Sequence, residues 1–395
     1  MLRILIINSD YESFLSHFYD SNPSLAEAPY AKQLAARYDS MFGVADFYSR
    51  NFRALGHDAK EVFVNNPVIQ ATWACEHGMS VDVPSLTVPQ PQGKLLARLR
   101  HVLNPYRAVL APVARRIGLL ARLETQAFDI LQAQIDDFAP DVILNQSVLL
   151  TPAAVVKAWQ KPGRVIIAQQ GTGLPKGFDI GGYDFAVTML PYLVEQFRIA
   201  GLPAEQVHLA FEPDILDRLP PAPPKDIAVS FVGGLAAGHQ DRIRLLEAIS
   251  KRYPVMLFSS STAGLPANSP ILQRRQDGVW GTEMYQVLRR SRITLNSHID
   301  AARGFAGNMR LFEATGVGTC LLTDNQSNLA SLFASGVEVA TYESADDCVS
   351  QIERLLADDA RREEIARRGQ ERTFAKHTYR QRAEQLLDYV ARYGR

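Results

Sequence analysis

The chain opens on a nearly unbroken apolar run, Leu2-Arg3-Ile4-Leu5-Ile6-Ile7, that ends at Asn8-Ser9-Asp10. A short run bounded by polar residues predicts a strand buried on both faces, as in a parallel sheet. Val44, Tyr48, Phe52 and Leu55 then recur at helical spacing, Gly56 stops them, and Glu61-Val62-Phe63-Val64 reads as a second strand. Strand, helix, strand is the first unit of a doubly wound sheet. The stretch between Asn8 and Met41 is long for a strand-to-helix connection, a length associated with function.

The pattern repeats. A helix is predicted over Ala121 to Phe138, a strand over Pro140 to Asn145, a helix over Val155 to Trp159 and a strand over Arg164 to Ala168. Tyr183 to Thr188 is another strand, followed by a helix through Phe197. Leu219-Pro220-Pro221-Ala222-Pro223-Pro224-Lys225 interrupts the alternation, because proline fixes φ and removes amide donors. Afterwards strands are predicted at Ile227–Val232, Val255–Phe258, Ile293–Asn296 and Thr319–Thr323. The helices between them cover Arg242–Arg252, Thr282–Arg290 and Met309–Thr315. Ser344 and Asp347 resemble a capping box, and a last helix from about Tyr379 carries Leu386, Leu387 and Val390. The expected architecture is α/β, with a Rossmann-like domain over 1–218, a linker over 219–225, a second domain over 226–378 and a terminal helix over 379–395. Ligands of open α/β sheets bind beyond the carboxyl ends of the strands, so two such edges facing a cleft make a two-substrate site.

Composition narrows the class. With 395 residues, 47% hydrophobic and 21% charged, the chain is not disordered, and two domains are the default. Lys+Arg 42 balances Asp+Glu 42, which argues against a nucleic-acid partner. Cys75, Cys320 and Cys348 are too scattered for a disulfide framework or a zinc site. The apolar core Ile4–Ile7 is too short for a signal peptide, and no run reaches the roughly 18–20 apolar residues of a membrane span. A cytoplasmic protein is expected. One window departs from neutrality: Lys94, Arg98, Arg100, Arg107, Arg115, Arg116 and Arg122 lie in 94–122 without an Asp or Glu. This basic helical insertion is expected to be either a solvated face or a surface for an anionic acceptor or the inner face of an anionic membrane.

The densest chemistry lies in Gly304 to Gly318. Gly307 permits close backbone approach, Asn308 suits an N-cap, and the helix from Met309 offers free amides and a positive dipole end. Arg310 adds charge for a phosphate, and Glu313 adds acceptors suited to ribose hydroxyls. The alternative is a plain cap, a surface charge and a solvated carboxylate.

Gly307-Asn308-Met309-Arg310-Leu311-Phe312-Glu313-Ala314, Cys320-Leu321-Leu322-Thr323-Asp324 and Glu338-Val339-Ala340-Thr341-Tyr342 resemble the CgeB-like, spore-maturation-type branch of the group 1 glycosyltransferases. The resemblance covers about 226–392 and implies a GT-B fold whose terminal helix crosses back to the N-terminal domain. It implies a nucleotide diphosphate sugar held mainly by the C-terminal domain, with Glu313 at the ribose and Asn308 and Arg310 by the diphosphate. Retaining relatives carry a second acid eight positions before the match to Glu313; here that position is Phe305.

Further donor candidates are Gly233 and Arg242 at the diphosphate, His298 at sugar or phosphate, and Trp280 with Glu283 where the resemblance puts the base. His239 is a weaker one in the Gly233–Gly238 loop. The catalytic candidates are Arg242, His298 and Asp10, the last being either a turn cap or the general base an inverting reaction needs. Asn8, Tyr11, Gln169 and Gly171 are the acceptor-side candidates. No Asp-x-Asp, Walker A, His-Glu-x-x-His or Gly-x-Ser-x-Gly motif occurs. The missing Asp-x-Asp makes metal independence the expectation, and the group 1 resemblance implies a retaining transferase. It would use a nucleotide diphosphate sugar as co-substrate with no other cofactor, and a saccharide, lipid-linked or other acceptor. The alternatives are an epimerase or hydrolase of the same fold and a non-catalytic binding protein.

Overall fold

The computed structural model describes residues 1–80, 119–235, 239–262 and 264–394, with backbone alone for 119–125. The chain builds two six-stranded parallel sheets. The first contains β1 (Arg3–Asn8), β2 (Asp58–Phe63), β3 (Val142–Asn145), β4 (Val165–Gln169), β5 (Phe185–Thr188) and β6 (Ala204–Gln206), in the order β2-β1-β3-β4-β5-β6. The second contains β7 (Ile227–Val232), β8 (Met256–Phe258), β9 (Arg275–Gln276), β10 (Ser291–Asn296), β11 (Cys320–Asp324) and β12 (Ala340–Tyr342), in the order β12-β11-β10-β7-β8-β9. Helices cover both faces of each sheet, which is why the strands read as apolar runs: Ile4, Leu5, Ile6 and Ile7 are all buried. Ile4 sits beside Ala59 on one side and Val142 on the other.

The segment after β1 is not an irregular loop. It folds into helices Glu12–Asp20 and Tyr30–Asp39 with a 3-10 turn at Pro23–Glu27 between them. Phe14, Phe18, Tyr19 and Leu25 bury one another in a small satellite core, and Phe42 and Trp280 pack on it. The basic window 94–122 falls outside the described residues, apart from helical backbone that begins at Leu119. Among the described residues no helix is long and apolar enough to cross a membrane.

The chain passes to the second sheet through residues 219–226, which form neither helix nor strand. It returns by the last helix, Tyr379–Tyr393, whose start is fixed by a Thr378–Gln381 capping box. The Tyr379 ring lies 5.2 Å from Phe47 and 5.1 Å from Tyr48, and the Tyr393 hydroxyl donates to Glu205 at 2.6 Å, so the helix lies on the first domain. One continuous core joins Ile4 and Phe185 of the first sheet to Ile227 and Leu321 of the second and to Leu311 on the helix Met309–Gly316. At the far side of the cleft the second domain docks by backbone: the Thr282 amide donates to the Ser40 carbonyl at 3.2 Å. Gly281 makes this possible, having φ of +48° and no Cβ to collide with the Ser40 carbonyl.

Candidate functional site

Helix Met309–Gly316 follows β10 through residues 297–308 and points its N-terminus at the cleft. Asn308 is the N-cap, with φ −68° and ψ 158°, but its side chain makes no cap hydrogen bond. Instead its Nδ2 donates to Asn296 Oδ1 at 2.7 Å, and Asn296 Nδ2 donates to Thr323 Oγ1 at 3.0 Å. The Asn296–Asn308 pair thus ties the end of β10 to the start of the helix. It also leaves the first-turn amides, the positive end of the helix dipole, without a side-chain partner.

His298 braces the same loop. Its backbone amide donates to Asp324 Oδ2 at 3.0 Å, its Nδ1 lies 2.7 Å from Asp324 Oδ1, and its Nε2 lies 3.3 Å from the Gly307 amide. A carboxylate at Nδ1 and an N–H at Nε2 assign the neutral tautomer with its proton on Nδ1. Burial pushes the Asp324 carboxyl up, but the His298 bonds and Gln326 outweigh burial and hold it below its ordinary value. Arg242, from helix Gln240–Arg252, is buried; it donates to the Ser297 carbonyl at 2.6 Å and to the Gly234 carbonyl at 3.1 Å. Its Nε is buried without an acceptor. Gly233 lies beside it, where a Cβ would crowd the Phe231 ring.

Arg242, His298, Gly307 and Asn308 line one cavity of about 130 Å³, whose opposite wall comes from the first domain through Gly171, Thr172, Met189 and Leu190. Two sheets contribute because the carboxyl ends of β4 and β5 face those of β7 and β10. Contacts across the cleft close over it: the Tyr192 hydroxyl donates to the Ala301 carbonyl at 3.0 Å, and the Arg303 guanidinium lies 4.5 Å from the Tyr192 ring centre. Phe305 lines the cavity and lies 6.3 Å from that ring.

The remaining candidates lie elsewhere. Arg310 and Glu313 pair with each other at 2.9 Å on the helix that begins at Met309, and neither lines the cavity. Burial raises the Glu313 carboxyl, and Arg310 opposes the rise. Trp280 is packed against Phe42 at 5.0 Å, in T-shaped contact, so in this closed arrangement its ring is taken up by the domain junction. Glu283 is exposed and faces His17 at 3.7 Å. Half-buried His239 rests its Nδ1 3.1 Å from the Gly234 carbonyl.

On the acceptor side, the expectation for Asn8 and Asp10 needs correcting. Asn8 is buried and donates to Glu61, so it does not face the cleft. Asp10 is buried with both carboxylate oxygens engaged by Arg37, at 2.6 Å from Nη2 and 3.0 Å from Nε, which leaves no oxygen for a base. Gln169 joins Gln146 at 2.7 Å to the Tyr48 hydroxyl at 3.0 Å. Tyr11 is exposed against Phe42 and Trp280. Only Gly171 of this group reaches the cavity.

Sequence reasoning missed Thr172, Met189, Leu190, Tyr192 and Asp324. The one local indication was for Asp324, an acid at the carboxyl end of a buried strand; the others gain their place only when the domains dock.

Comparison with known proteins bears on the fold and on the second domain. Residues 242–388 match the family described as glycosyl transferase-like. The whole chain aligns with sucrose-phosphate synthase from Thermosynechococcus elongatus at 13% identity, covering 99% of each chain with a TM-score of 0.56. It aligns with a glycosyltransferase from Rickettsia africae at 9% identity, covering 99% of this chain and 98% of that one, TM-score 0.56. A third similar structure, Anabaena HepE in complex with UDP-glucose, is 12% identical over 99% of this chain and 100% of that one, TM-score 0.54. No curated protein matches the sequence. The two facing six-stranded sheets are the GT-B fold.

Proposed function

We propose that this chain is a glycosyltransferase that takes a sugar from a nucleoside diphosphate donor, retains its anomeric configuration and needs no metal. The observation that carries the reading is the convergence of an uncapped helix end and a buried arginine on a cavity between the domains. The likeness of residues 242–388 to glycosyl transferase-like proteins and the fold shared with a UDP-glucose complex support it.

The chemistry follows from the groups present. When a glycosidic bond to a diphosphate breaks, negative charge grows on the departing phosphate. Preorganised donors aimed at that charge lower the barrier without moving. Here they are the first amides of helix Met309–Gly316 and the Arg242 guanidinium, which loses little by binding an anion because it is already out of water. His298 is a positioning residue in this scheme: as a neutral acceptor of the Gly307 amide it holds the loop in shape and has no Nε2 proton to give. Glu313 is the ribose acceptor of the reading, and it reaches a ribose by exchanging its Arg310 partner for the sugar hydroxyls. Retention follows the group 1 resemblance.

The test is titration of the purified chain with UDP, GDP and dTDP, repeated with Arg242→Ala and Glu313→Ala. A lost charged hydrogen bond costs about 1.5–3 kcal/mol, so each variant should bind the preferred nucleotide roughly one to two decades more weakly. Folded variants that bind as the parent does would move the donor site elsewhere. Donor consumption with a saccharide acceptor, followed by NMR of the new anomeric proton, should be equal in EDTA and in magnesium. Rescue by the metal alone would overturn the metal-free scheme. Equal release of nucleotide with and without acceptor would make the enzyme a hydrolase.

A further inference from the structure

The cavity beside the helix end is lopsided. Much of its lining is apolar: Met189, Leu190, Ile299, Ala301, Ala302 and Phe305. The polar side chains that do line it are largely spoken for. Asn308 is paired with Asn296, and His298 is held between Asp324 and Gly307. Thr172 Oγ1 accepts from Gln170 at 2.8 Å, and two nitrogens of Arg242 are on carbonyls. The Arg242 Nε is the buried donor left without a partner, and it belongs to the phosphate end. At about 130 Å³ the space is below the roughly 300–1,000 Å³ of pockets that hold whole ligands, so it takes one ring of a donor and not the nucleotide.

We infer that the sugar held here is a deoxysugar, one that turns a methyl or methylene edge toward Phe305 and Met189. The inference rests on the donor reading above. With the diphosphate on the helix end and Arg242, the attached sugar enters the cavity and meets the apolar lining. A hexose bearing a hydroxyl at every ring carbon and at C6 would bury some of those hydroxyls against Phe305, Leu190 and Ala302 with no partner. A buried unpaired hydroxyl loses its hydrogen bonds to water, whereas a methyl in its place gains contact. Apolar pockets discriminate against an added hydroxyl by about a hundredfold. Phe305 is central to the argument because it supplies the largest apolar surface in this lining and is itself held by Tyr192.

The experiment compares donors that differ by one oxygen on the nucleoside the chain prefers: dTDP-glucose with dTDP-6-deoxyglucose, GDP-mannose with GDP-6-deoxymannose, or UDP-glucose with UDP-6-deoxyglucose. The deoxy member should bind at least about tenfold tighter in calorimetry. Phe305→Gln should reverse the order, and the smaller change Ala302→Ser should narrow it, while both leave affinity for the bare nucleoside diphosphate unchanged. If the bare nucleotides bind but the hydroxylated donor binds as well as its deoxy partner, the inference is wrong and the donor reading stands. Tighter binding of an N-acetylhexosamine donor than of either overturns it in the same way. If no nucleotide binds at all, the donor reading fails and takes the inference with it.

Discussion

Asp10→Asn separates a structural role from a catalytic one, because the two predict opposite outcomes. The Arg37 guanidinium donates to both oxygens of Asp10, to the Phe42 carbonyl at 3.1 Å and to Ser40 Oγ at 3.2 Å. It lies 4.4 Å from the Phe63 ring centre and 4.8 Å from that of Phe14. The side chains of Arg37 and Asp10 are 2% and 1% exposed, so water does not screen the pair. Asparagine keeps the shape and removes the charge, leaving a guanidinium buried against an amide. Breaking one side of such a pair costs about 3–5 kcal/mol, a large share of the roughly 5–15 kcal/mol that holds a domain folded. Trp73 and Trp159 are buried in this domain and report its unfolding by fluorescence in urea. With a slope of about 1–3 kcal/mol/M, the midpoint should fall by about 1 M or more. Sugar transfer by the fraction still folded should stay within a few-fold of the parent. Adding Arg37→Met should recover part of the loss, since a buried pair replaced by apolar groups is often neutral. A general base removed would instead lower kcat by about 10²–10⁴ with the urea midpoint in place, and that result would refute the structural assignment.

Other outcomes follow from the same coordinates. Glu61 is buried, accepts from the Ser49 amide and from Asn8, and burial raises its carboxyl to about 8. The folded state therefore holds a proton that the unfolded chain gives up near the ordinary 4.5, and stability falls as pH climbs from there to about 8, by about 3–5 kcal/mol in total. Glu61→Gln should flatten that slope in urea titrations between pH 5 and 8 and be the more stable form at the upper end; parallel slopes in the two proteins would contradict it. Gly281→Ala puts a methyl into the Ser40 carbonyl at a φ of +48°, so the Trp280–Phe42 contact should part, seen as a red shift of tryptophan emission and a larger radius of gyration in solution scattering. An unchanged radius would mean the domains do not meet there.

The fold was legible where burial imposed a pattern. β1, β3, β4, β7, β10 and β11 are covered on both faces, and continuous apolar runs mark them. β6 and β9 are edge strands of three and two residues without an apolar run, Ala204–Gln206 and Arg275–Gln276, and nothing local distinguishes them from loop. Helices Glu12–Asp20 and Tyr30–Asp39 lie inside what the pattern marks only as a long connection, for a different reason. The first buries only Phe14, Phe18 and Tyr19, and the second buries Gln33 and Arg37. A helix whose inward residues are a glutamine and an arginine gives no hydrophobic period; the Asp10 ion pair and the surrounding aromatic rings are what make that face an interior.

The site divides along the same line. Gly307, Asn308, Arg242 and His298 were legible because the crossover of a parallel sheet brings strand ends and helix starts to one edge, so each residue's position in its own unit already places it there. The other half of the cavity belongs to Thr172, Met189 and Leu190, which sit at the corresponding edge of the other sheet with no motif of their own. Their role depends on how far one domain rotates toward the other. Around the cavity itself the domains meet through the Tyr192 hydroxyl on Ala301, Arg303 over the Tyr192 ring and Met189 against Gly307, apart from the continuous core that joins the two sheets. A hydrogen bond or ring contact of this kind contributes about 0.5–1.5 kcal/mol. The cavity they enclose is too small for a nucleotide, so on the proposed reading a donor would enter as they part, and contacts of that strength would let binding energy part them. Side chains that meet only across a domain boundary leave no periodic trace in a sequence, whereas the cleft-facing helix end, which belongs to one strand–helix unit, does.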